Sequence, residues 1–127
     1  MPACYKIDKE RRLVMSTAYG VVTRQDLQNH QEALLVDPDF GKTFSQLADF
    51  TRMTRMEVTA ADVRVLAAKN VFAPEARRAF IASDEAAFGL SRMFEILRAA
   101  KGEEGIRVFR TVEEGFAWIF ATRPVSV

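Results

Sequence analysis

The segment that constrains the architecture most strongly spans residues 46–62 and reads QLADFTRMTRMEVTAAD. Its apolar start predicts a buried strand that ends in an acid, Asp49, and Thr59 has the position of a helix N-cap. The Thr- and Arg-rich residues between them predict a short loop. In proteins that alternate strands and helices, the loops that leave the carboxyl ends of parallel strands converge at one edge, where functional sites concentrate. The segment therefore indicates a fold class and a candidate site together.

The remaining sequence continues this alternation in both directions. Residues 5–9 and 13–19 predict an antiparallel hairpin whose second strand ends at Gly20, and Thr23 caps a helix that must stop before Pro38. Further strands, each followed by a helix, are predicted at residues 44–50, 78–82 and 106–109. The predicted fold is α/β, β-β-α-β-α-β-α-β-α, with a single mixed, mostly parallel five-stranded sheet, an N-terminal hairpin and four helices. We expect one domain over residues 1–127, with a loose tail at 122–127.

Length and composition are those of one folded domain: 127 residues, of which 49% are apolar, with a net charge of +1. A charge this balanced argues against binding nucleic acid by charge alone. Cys4 is the only cysteine, which excludes an intramolecular disulfide and favours a reducing compartment. Charged residues interrupt the N-terminus too early for a signal peptide, and no apolar run is long enough to span a bilayer, so we expect a cytoplasmic protein.

The order of elements resembles the STAS domain, the fold of bacterial anti-sigma-factor antagonists, over nearly the whole chain. In that family an Asp-Ser-Ser-Gly turn opens a helix, and its second Ser is the regulatory phosphorylation site. Here Glu57-Val58-Thr59-Ala60 stands at this turn, with Thr59 at the position of the phosphorylated Ser and Glu57 at that of the acid. Val58 and Ala60 replace the first Ser and the Gly. Segments 89–94 and 108–118 look more like an uncharacterised bacterial branch that is grouped with SEC14-like lipid-binding domains.

Thr59 has two interpretations. It is an N-cap whose hydroxyl satisfies a free backbone N–H of the helix, or it is in addition a phosphorylation site, since a helix N-terminus accepts a phosphate well. Arg52 or Arg55 would then clamp the phosphate. We expect the mimic Thr59→Glu to fold normally and to change partner binding. The candidate regulatory or binding site comprises Asp49, Thr51, Arg52, Arg55, Glu57 and Thr59.

Acids and bases with other roles are few. Asp49 is a candidate metal ligand or base, although a lone acid at a strand end more often caps a turn through the backbone. His30 is the only histidine and has no Cys or His at ligand spacing, so neither a metal nor another cofactor is expected. No phosphate-binding loop, nucleophile elbow or zinc-protease motif is found, which favours a non-enzymatic protein over a small enzyme that uses Asp49 or Glu57.

Large apolar residues near the C-terminus indicate either plain core or a pocket for an apolar ligand. Phe88 and Trp118 fit the inward stripes least well, so we expect both to be exposed at an interface, with a homodimer formed through the helix that carries Phe88. The primary hypothesis is a module that binds a protein partner or a small ligand through residues 49–59. The alternative is a carrier of a lipid or other apolar small molecule, in a pocket beneath the third and fourth helices that is lined by Phe80, Phe94 or Phe116.

Overall fold

The computed structural model describes residues 2–122 and has the predicted order of elements. All but Thr122 of the predicted loose tail lies outside the described residues. Within these residues the chain forms five strands and four helices. The strands are β1 (Ala3–Asp8), β2 (Leu13–Thr23), β3 (Ser45–Glu57), β4 (Arg78–Ile81) and β5 (Ile106–Phe109), and the helices are α1 (Arg24–Val36), α2 (Ala60–Ala67), α3 (Glu85–Ala99) and α4 (Val112–Ile119).

The sheet is mixed, and its strands lie in the order β1-β2-β3-β4-β5. β1 pairs antiparallel with β2 from Ala3 opposite Ala18 to Asp8 opposite Leu13, which confirms the predicted hairpin. The other neighbours are parallel. Because every crossover moves along the sheet in the same direction, right-handed connections place α1, α2 and α3 on the same face. α4 follows the last strand and covers the other face.

Alternation along β3 separates the two cores. Leu47 packs on the α4 side with Ile81 and Ile119. Ala48 packs on the opposite side with residues of α2 and α3, among them Phe94. α4 lies very close to the sheet, since a Cβ added at Gly115 would be 2.5 Å from Ile81 Cδ1. The two helices α3 and α4 are therefore separated by the full thickness of the sheet.

The predicted loop after Asp49 is wrong, because β3 continues to Glu57 and pairs with an equally extended β2. The register runs from Thr17 opposite Asp49 to Tyr19 opposite Arg52, and it shifts once more before Val21 pairs with Arg55, so β3 carries two extra residues as bulges. Gly20 has a positive φ of 65° and lies between these shifts instead of ending β2. Glycine adopts this backbone geometry without strain.

Helix starts agree with the sequence. Thr23 and Thr59 are both N-caps with complete capping boxes. At α2 the Thr59 hydroxyl accepts a hydrogen bond from Asp62 N at 3.1 Å, and the Asp62 carboxylate accepts one from Thr59 N at 2.9 Å. Phe120 is 49% exposed, because it follows the last turn of α4 and stacks on Phe116.

Candidate functional site

A cavity lies between the sheet and the three helices that share one face of it. It holds about 100 Å³ of space that water-sized molecules can enter, and it is open to solvent on one side. β2, β3 and β4 form its floor, and α1, α2 and α3 form its walls. The apolar lining includes Leu27, Val58, Val63, Leu66, Phe80 and Phe94.

Polar side chains form a hydrogen-bonded row along the floor of this cavity. Arg78 Nε donates to Gln46 Oε1 at 3.0 Å, which fixes the orientation of the Gln46 amide. Gln46 Nε2 then donates to Ser16 Oγ at 3.0 Å, and Ser16 Oγ lies 2.8 Å from His30 Nε2. All four residues line the cavity. The floor therefore presents hydrogen-bonding groups at the base of an otherwise apolar space.

Arg78 also belongs to a buried cluster of charges that we call the Arg78–Glu103–Arg98 cluster. Arg78 Nη1 lies 3.0 Å from Glu103 Oε2, and Arg98 Nε lies 2.7 Å from Glu103 Oε1. Arg98 also donates hydrogen bonds to two neutral acceptors, the carbonyl oxygen of Ala67 and the side-chain oxygen of Asn70. The three charged side chains are 2–7% exposed. The cluster thus places two guanidinium groups against one carboxylate in the interior.

The surroundings of Arg78 strengthen its electrostatic effect. Its guanidinium carbon lies 4.2 Å from the ring centre of Phe72, with Phe80 and Phe94 at 5.5 and 5.7 Å. Burial lowers the pKa of Arg78, but a guanidinium stays protonated in proteins. At the other end of the row, burial and then the charge of Arg78 lower the pKa of His30 to about 4. His30 is therefore neutral at pH 7, and Arg78 is the cation of the cavity floor.

The fold is similar to that of a solved structure. An uncharacterised protein of the DUF3478 family from Shewanella loihica PV-4, described with a SpoIIAA-like fold, matches with a TM-score of 0.56 and 18% identity. The match covers 92% of this chain and 93% of that one. The chain has a SpoIIAA-like fold, which is the fold of the STAS domain. No family model and no curated protein matches the sequence.

In this SpoIIAA-like fold, Asp49 borders the cavity but does not end a strand. Its carboxylate accepts hydrogen bonds from Thr51 N at 2.8 Å and from Thr51 Oγ1 at 2.6 Å, within the first bulge of β3. The turn-capping interpretation of Asp49 therefore describes its contacts. Because Leu47 faces α4 and side chains alternate along a strand, Asp49 points to the same side as Leu47, away from the cavity floor.

The other predicted site residues lie along one exposed edge, formed by the extension of β3 and the start of α2. Thr51, Arg52, Arg55, Glu57 and Thr59 are all exposed. Arg55 forms an ion pair with Glu57 on the same strand. A basic side chain beside the start of α2 is Arg24, whose Nη1 lies 3.5 Å from Asp62. Between the exposed positions, Met56 and Val58 turn inward and line the cavity, so edge and cavity share one strand.

Phe88 and Trp118 are half-buried instead of exposed, because arginine side chains cover them. The Arg110 guanidinium carbon lies 3.9 Å from the ring centre of Phe88, and those of Arg77 and Arg107 lie 5.5 and 5.6 Å from the ring centre of Trp118. They are on α3 and α4, hence on opposite faces, and cannot form one shared interface patch. A homodimer through α3 stays a prediction, which the mass of the protein at high concentration would test.

The pocket predicted beneath the third and fourth helices is wrong in its position, because those helices cover opposite faces of the sheet. The cavity uses α3 together with α1 and α2. Phe80 and Phe94 line it as predicted, whereas Phe116 packs on the α4 side.

Two features are absent from residues 2–122. No group of three or more His, Cys, Asp or Glu side chains comes together there as metal ligands would. None of the helices in this part of the chain has the length and apolar character needed to cross a bilayer.

The polar floor of the cavity was not predicted from the sequence. A signal for it is present in the sequence: Gln46 and Arg78 are polar residues at the starts of apolar strands, and His30 and Gln31 interrupt the inward stripe of α1 between Leu27 and Leu34. Buried polar groups need partners, so such interruptions on several elements indicate a common polar site.

Proposed function

We propose that the protein is a non-enzymatic binding module that holds a small, mostly apolar molecule in the cavity between the sheet and α1, α2 and α3. The observation that carries the proposal is an apolar cavity whose floor holds a hydrogen-bonded polar row. Binding sites for small molecules commonly combine apolar walls with a few placed polar groups. The polar row would orient the ligand, and the apolar walls would supply most of the affinity.

The presence of this space in a small domain supports the proposal. Protein interiors are close-packed, and voids larger than a water molecule are few. Side chains that line an open space of this size lose packing contacts on one side, which costs stability. A chain of 127 residues has a limited core, so a retained cavity of this size is better explained by use than by imperfect packing.

The size of the cavity restricts the ligand. An apolar cavity of roughly 150 Å³ in another protein binds benzene, so 100 Å³ accommodates a body of about four carbons. A long lipid chain does not fit inside. Because the cavity is open to solvent on one side, a larger molecule would place only one end in it. The carrier hypothesis is therefore narrowed to a short-chain or aromatic ligand.

The exposed edge gives the second part of the proposal, a contact with a protein partner. Met56 and Val58 line the cavity, while Arg55, Glu57 and Thr59 alternate with them and face solvent. A ligand that displaces the inward side chains would shift the outward ones on the same strand. Thr59 remains a candidate phosphorylation site, because it is exposed at a helix N-terminus. Its phosphate would lie beside the Asp62 carboxylate, so modification would disturb the capping box and change this edge.

A pair of matched variants tests ligand binding. Leu27→Trp places an indole in the cavity wall, whereas Leu35→Trp adds the same group to an exposed position of the same helix. The probes are hexanoate, 1-hexanol and hexylammonium, with binding measured by ligand-observed NMR at pH 7. We expect the wild type and Leu35→Trp to bind at least one probe and Leu27→Trp to bind none, with circular dichroism confirming that all three proteins are folded. Absence of binding to the wild type, or unchanged binding to Leu27→Trp, would contradict the proposal.

A further inference from the structure

We propose that the ligand of the cavity is a small organic anion, a monocarboxylate, whose charged group lies against Arg78 and whose apolar body lies against Phe80 and Phe94. This inference rests on the proposed function and adds the chemical class of the ligand. It follows from the charges that surround the cavity, from the hydrogen bonds of Arg78 and from the absence of a competing anion on the floor.

The buried charges near the cavity do not balance. The Arg78–Glu103–Arg98 cluster holds two cations and one anion, and the further partners of both arginines, Gln46, Asn70 and the Ala67 carbonyl, are neutral. A net positive charge therefore remains in the interior. An uncompensated buried charge is strongly unfavourable, and the usual remedy is a partner of opposite sign. A bound anion would supply that partner.

Arg78 is only 6% exposed and lines the cavity, and its hydrogen bonds use two of its three side-chain nitrogens. Its Nε is occupied by Gln46, and its Nη1 by Glu103. Among residues 2–122, Nη2 makes no hydrogen bond, although a guanidinium has donors on all three nitrogens. Carboxylates are the acceptors that such a group binds best, because both charges contribute to the hydrogen bond.

The other polar side chains of the lining do not cancel the charge of Arg78. His30 is neutral at pH 7, and Ser16, Gln31 and Gln46 carry no charge. Asp49 is the one acid among the lining residues, but it points to the α4 side and its carboxylate is engaged by Thr51. The field on the cavity floor is therefore positive, which favours an anion over a neutral molecule and disfavours a cation.

The charge of Arg78 lies in apolar surroundings. Phe72, Phe80 and Phe94 pack around the guanidinium and make its surroundings largely apolar. Charge pairs are worth more in such surroundings than at the surface, because the local dielectric constant is lower. Phe80 and Phe94 also stack at 5.4 Å and form an apolar wall next to the cation. A ligand with one carboxylate and a short apolar body matches both features.

The experiment compares three probes of equal chain length on the wild-type protein at pH 7, by isothermal titration calorimetry. We expect hexanoate to bind about tenfold more tightly than 1-hexanol, because a charge-assisted hydrogen bond is about twice as strong as a neutral one. Hexylammonium should bind most weakly. If 1-hexanol or hexylammonium binds as tightly as hexanoate, the inference is wrong while the proposed function stands. If none of the three binds, both are wrong.

Two variants assign the effect to Arg78. Arg78→Met removes the cation and leaves Arg98 and Glu103 as a balanced pair, whereas Arg107→Met removes an arginine from the opposite face of the neighbouring strand. We expect Arg78→Met to lose the preference for hexanoate over 1-hexanol and Arg107→Met to keep it. A preference that survives in folded Arg78→Met would overturn the assignment. If Arg78→Met does not fold, hexanoate is titrated into the wild-type protein and the methyl chemical shifts of Leu27, Val63 and Leu90 are followed. We expect these shifts to change on binding. Changes confined to methyl groups on other surfaces would contradict the inference.

Discussion

Arg78 Nε donates a hydrogen bond to Gln46 Oε1 across 3.0 Å, between directly paired positions of the parallel strands β4 and β3. This bond connects the buried charge cluster on one side to the polar floor of the cavity on the other. A change in the charge of the cluster would therefore be felt at Ser16 and His30 through Gln46. The same buried residues contribute to stability and line the proposed ligand site. Substitutions of these residues should therefore change both the free energy of unfolding and ligand affinity.

Loss of the central anion should be costly. Glu103→Gln leaves Arg78 and Arg98 buried without a carboxylate, and breaking a buried ion pair in this way destabilises a protein by about 3–5 kcal/mol. Urea denaturation measures the free energy of unfolding. Glu104→Gln, at the exposed neighbouring position, is the control and should change it by less than about 0.5 kcal/mol. Equal stabilities of the two variants would show that the cluster contributes no net attraction.

The titration of His30 predicts how stability depends on pH. Its pKa is lowered from 6.5 to about 4 in the folded protein, so between these values the unfolded chain binds a proton that the folded protein does not. The free energy of unfolding should therefore fall as the pH drops through this range, by about 3 kcal/mol in total. His30→Gln should remove this slope. The charged and aromatic neighbours of His30 that act on it, Arg78 and Tyr5, are unchanged in this variant.

Carboxyl groups with a lowered pKa do not interfere with the comparison. Those of Asp8, Asp37 and Asp62 stabilise the protein above their ordinary pKa of 3.8 and lose this effect only as the pH falls further. They are present in both proteins, so they cancel in the difference between wild type and His30→Gln. Parallel pH profiles of the two proteins would contradict the burial of a neutral imidazole.

Two glycines test the close approach of α4 to the sheet. A Cβ at Gly115 would lie 2.5 Å from Ile81 Cδ1 and 3.0 Å from Leu47 Cδ1, whereas a Cβ at Gly89 in α3 would meet nothing within 4 Å. Gly89→Ala should stabilise the protein by about 0.5–1 kcal/mol, because alanine is the better helix former. Gly115→Ala gains the same helical preference but overpacks the core, so it should destabilise by about 1 kcal/mol net. Thermal unfolding of both variants gives the comparison, and a stabilised Gly115→Ala would mean that α4 can move away from the sheet.

Thr59→Glu tests the capping box and the proposed modification together. The side chain of Thr59 is solvent-exposed, so a glutamate fits without repacking, while loss of the cap costs about 1 kcal/mol. We expect a folded protein with a slightly lower Tm and an altered surface at the start of α2. Thr54→Glu, at another exposed position of the same edge, is the control. Unfolding of Thr59→Glu at room temperature would exclude a phosphorylation switch at this residue.

The predictable part of the fold depends on local signals. Thr23 and Thr59 mark helix starts because a cap needs only its own first turn, and the apolar stripes of α1 and α3 follow from periodicity within one helix. The extension of β3 was missed because its stabilisation is not local: residues 52–57 are mostly exposed and polar, and they form a strand because β2 pairs with them. The end of β2 was wrongly predicted at Gly20 for a similar reason. Glycine is common both at β-bulges and at strand ends, and its local sequence does not distinguish the two.

The cavity could not be predicted from the sequence either, because it also depends on contacts between distant parts of the chain. Its lining comes from four strands and three helices, and the separation of α3 from α4 depends on which face each crossover takes. The polar row joins Ser16, His30, Gln46 and Arg78, which are far apart in sequence. Each of them is an isolated polar exception on its own element, and they come into contact only through the sheet register and the packing of α1 on the sheet.

The strand order has a consequence for biosynthesis. Because each strand lies next to its predecessor in the chain, a nascent polypeptide can extend the sheet one strand at a time without reopening pairs already made. α4 emerges from the ribosome after all five strands, and until it docks, Leu47, Ala79 and Ile81 form a bare apolar surface. A chain that terminates before Val112 would carry that surface permanently, which makes premature truncation here a route to aggregation.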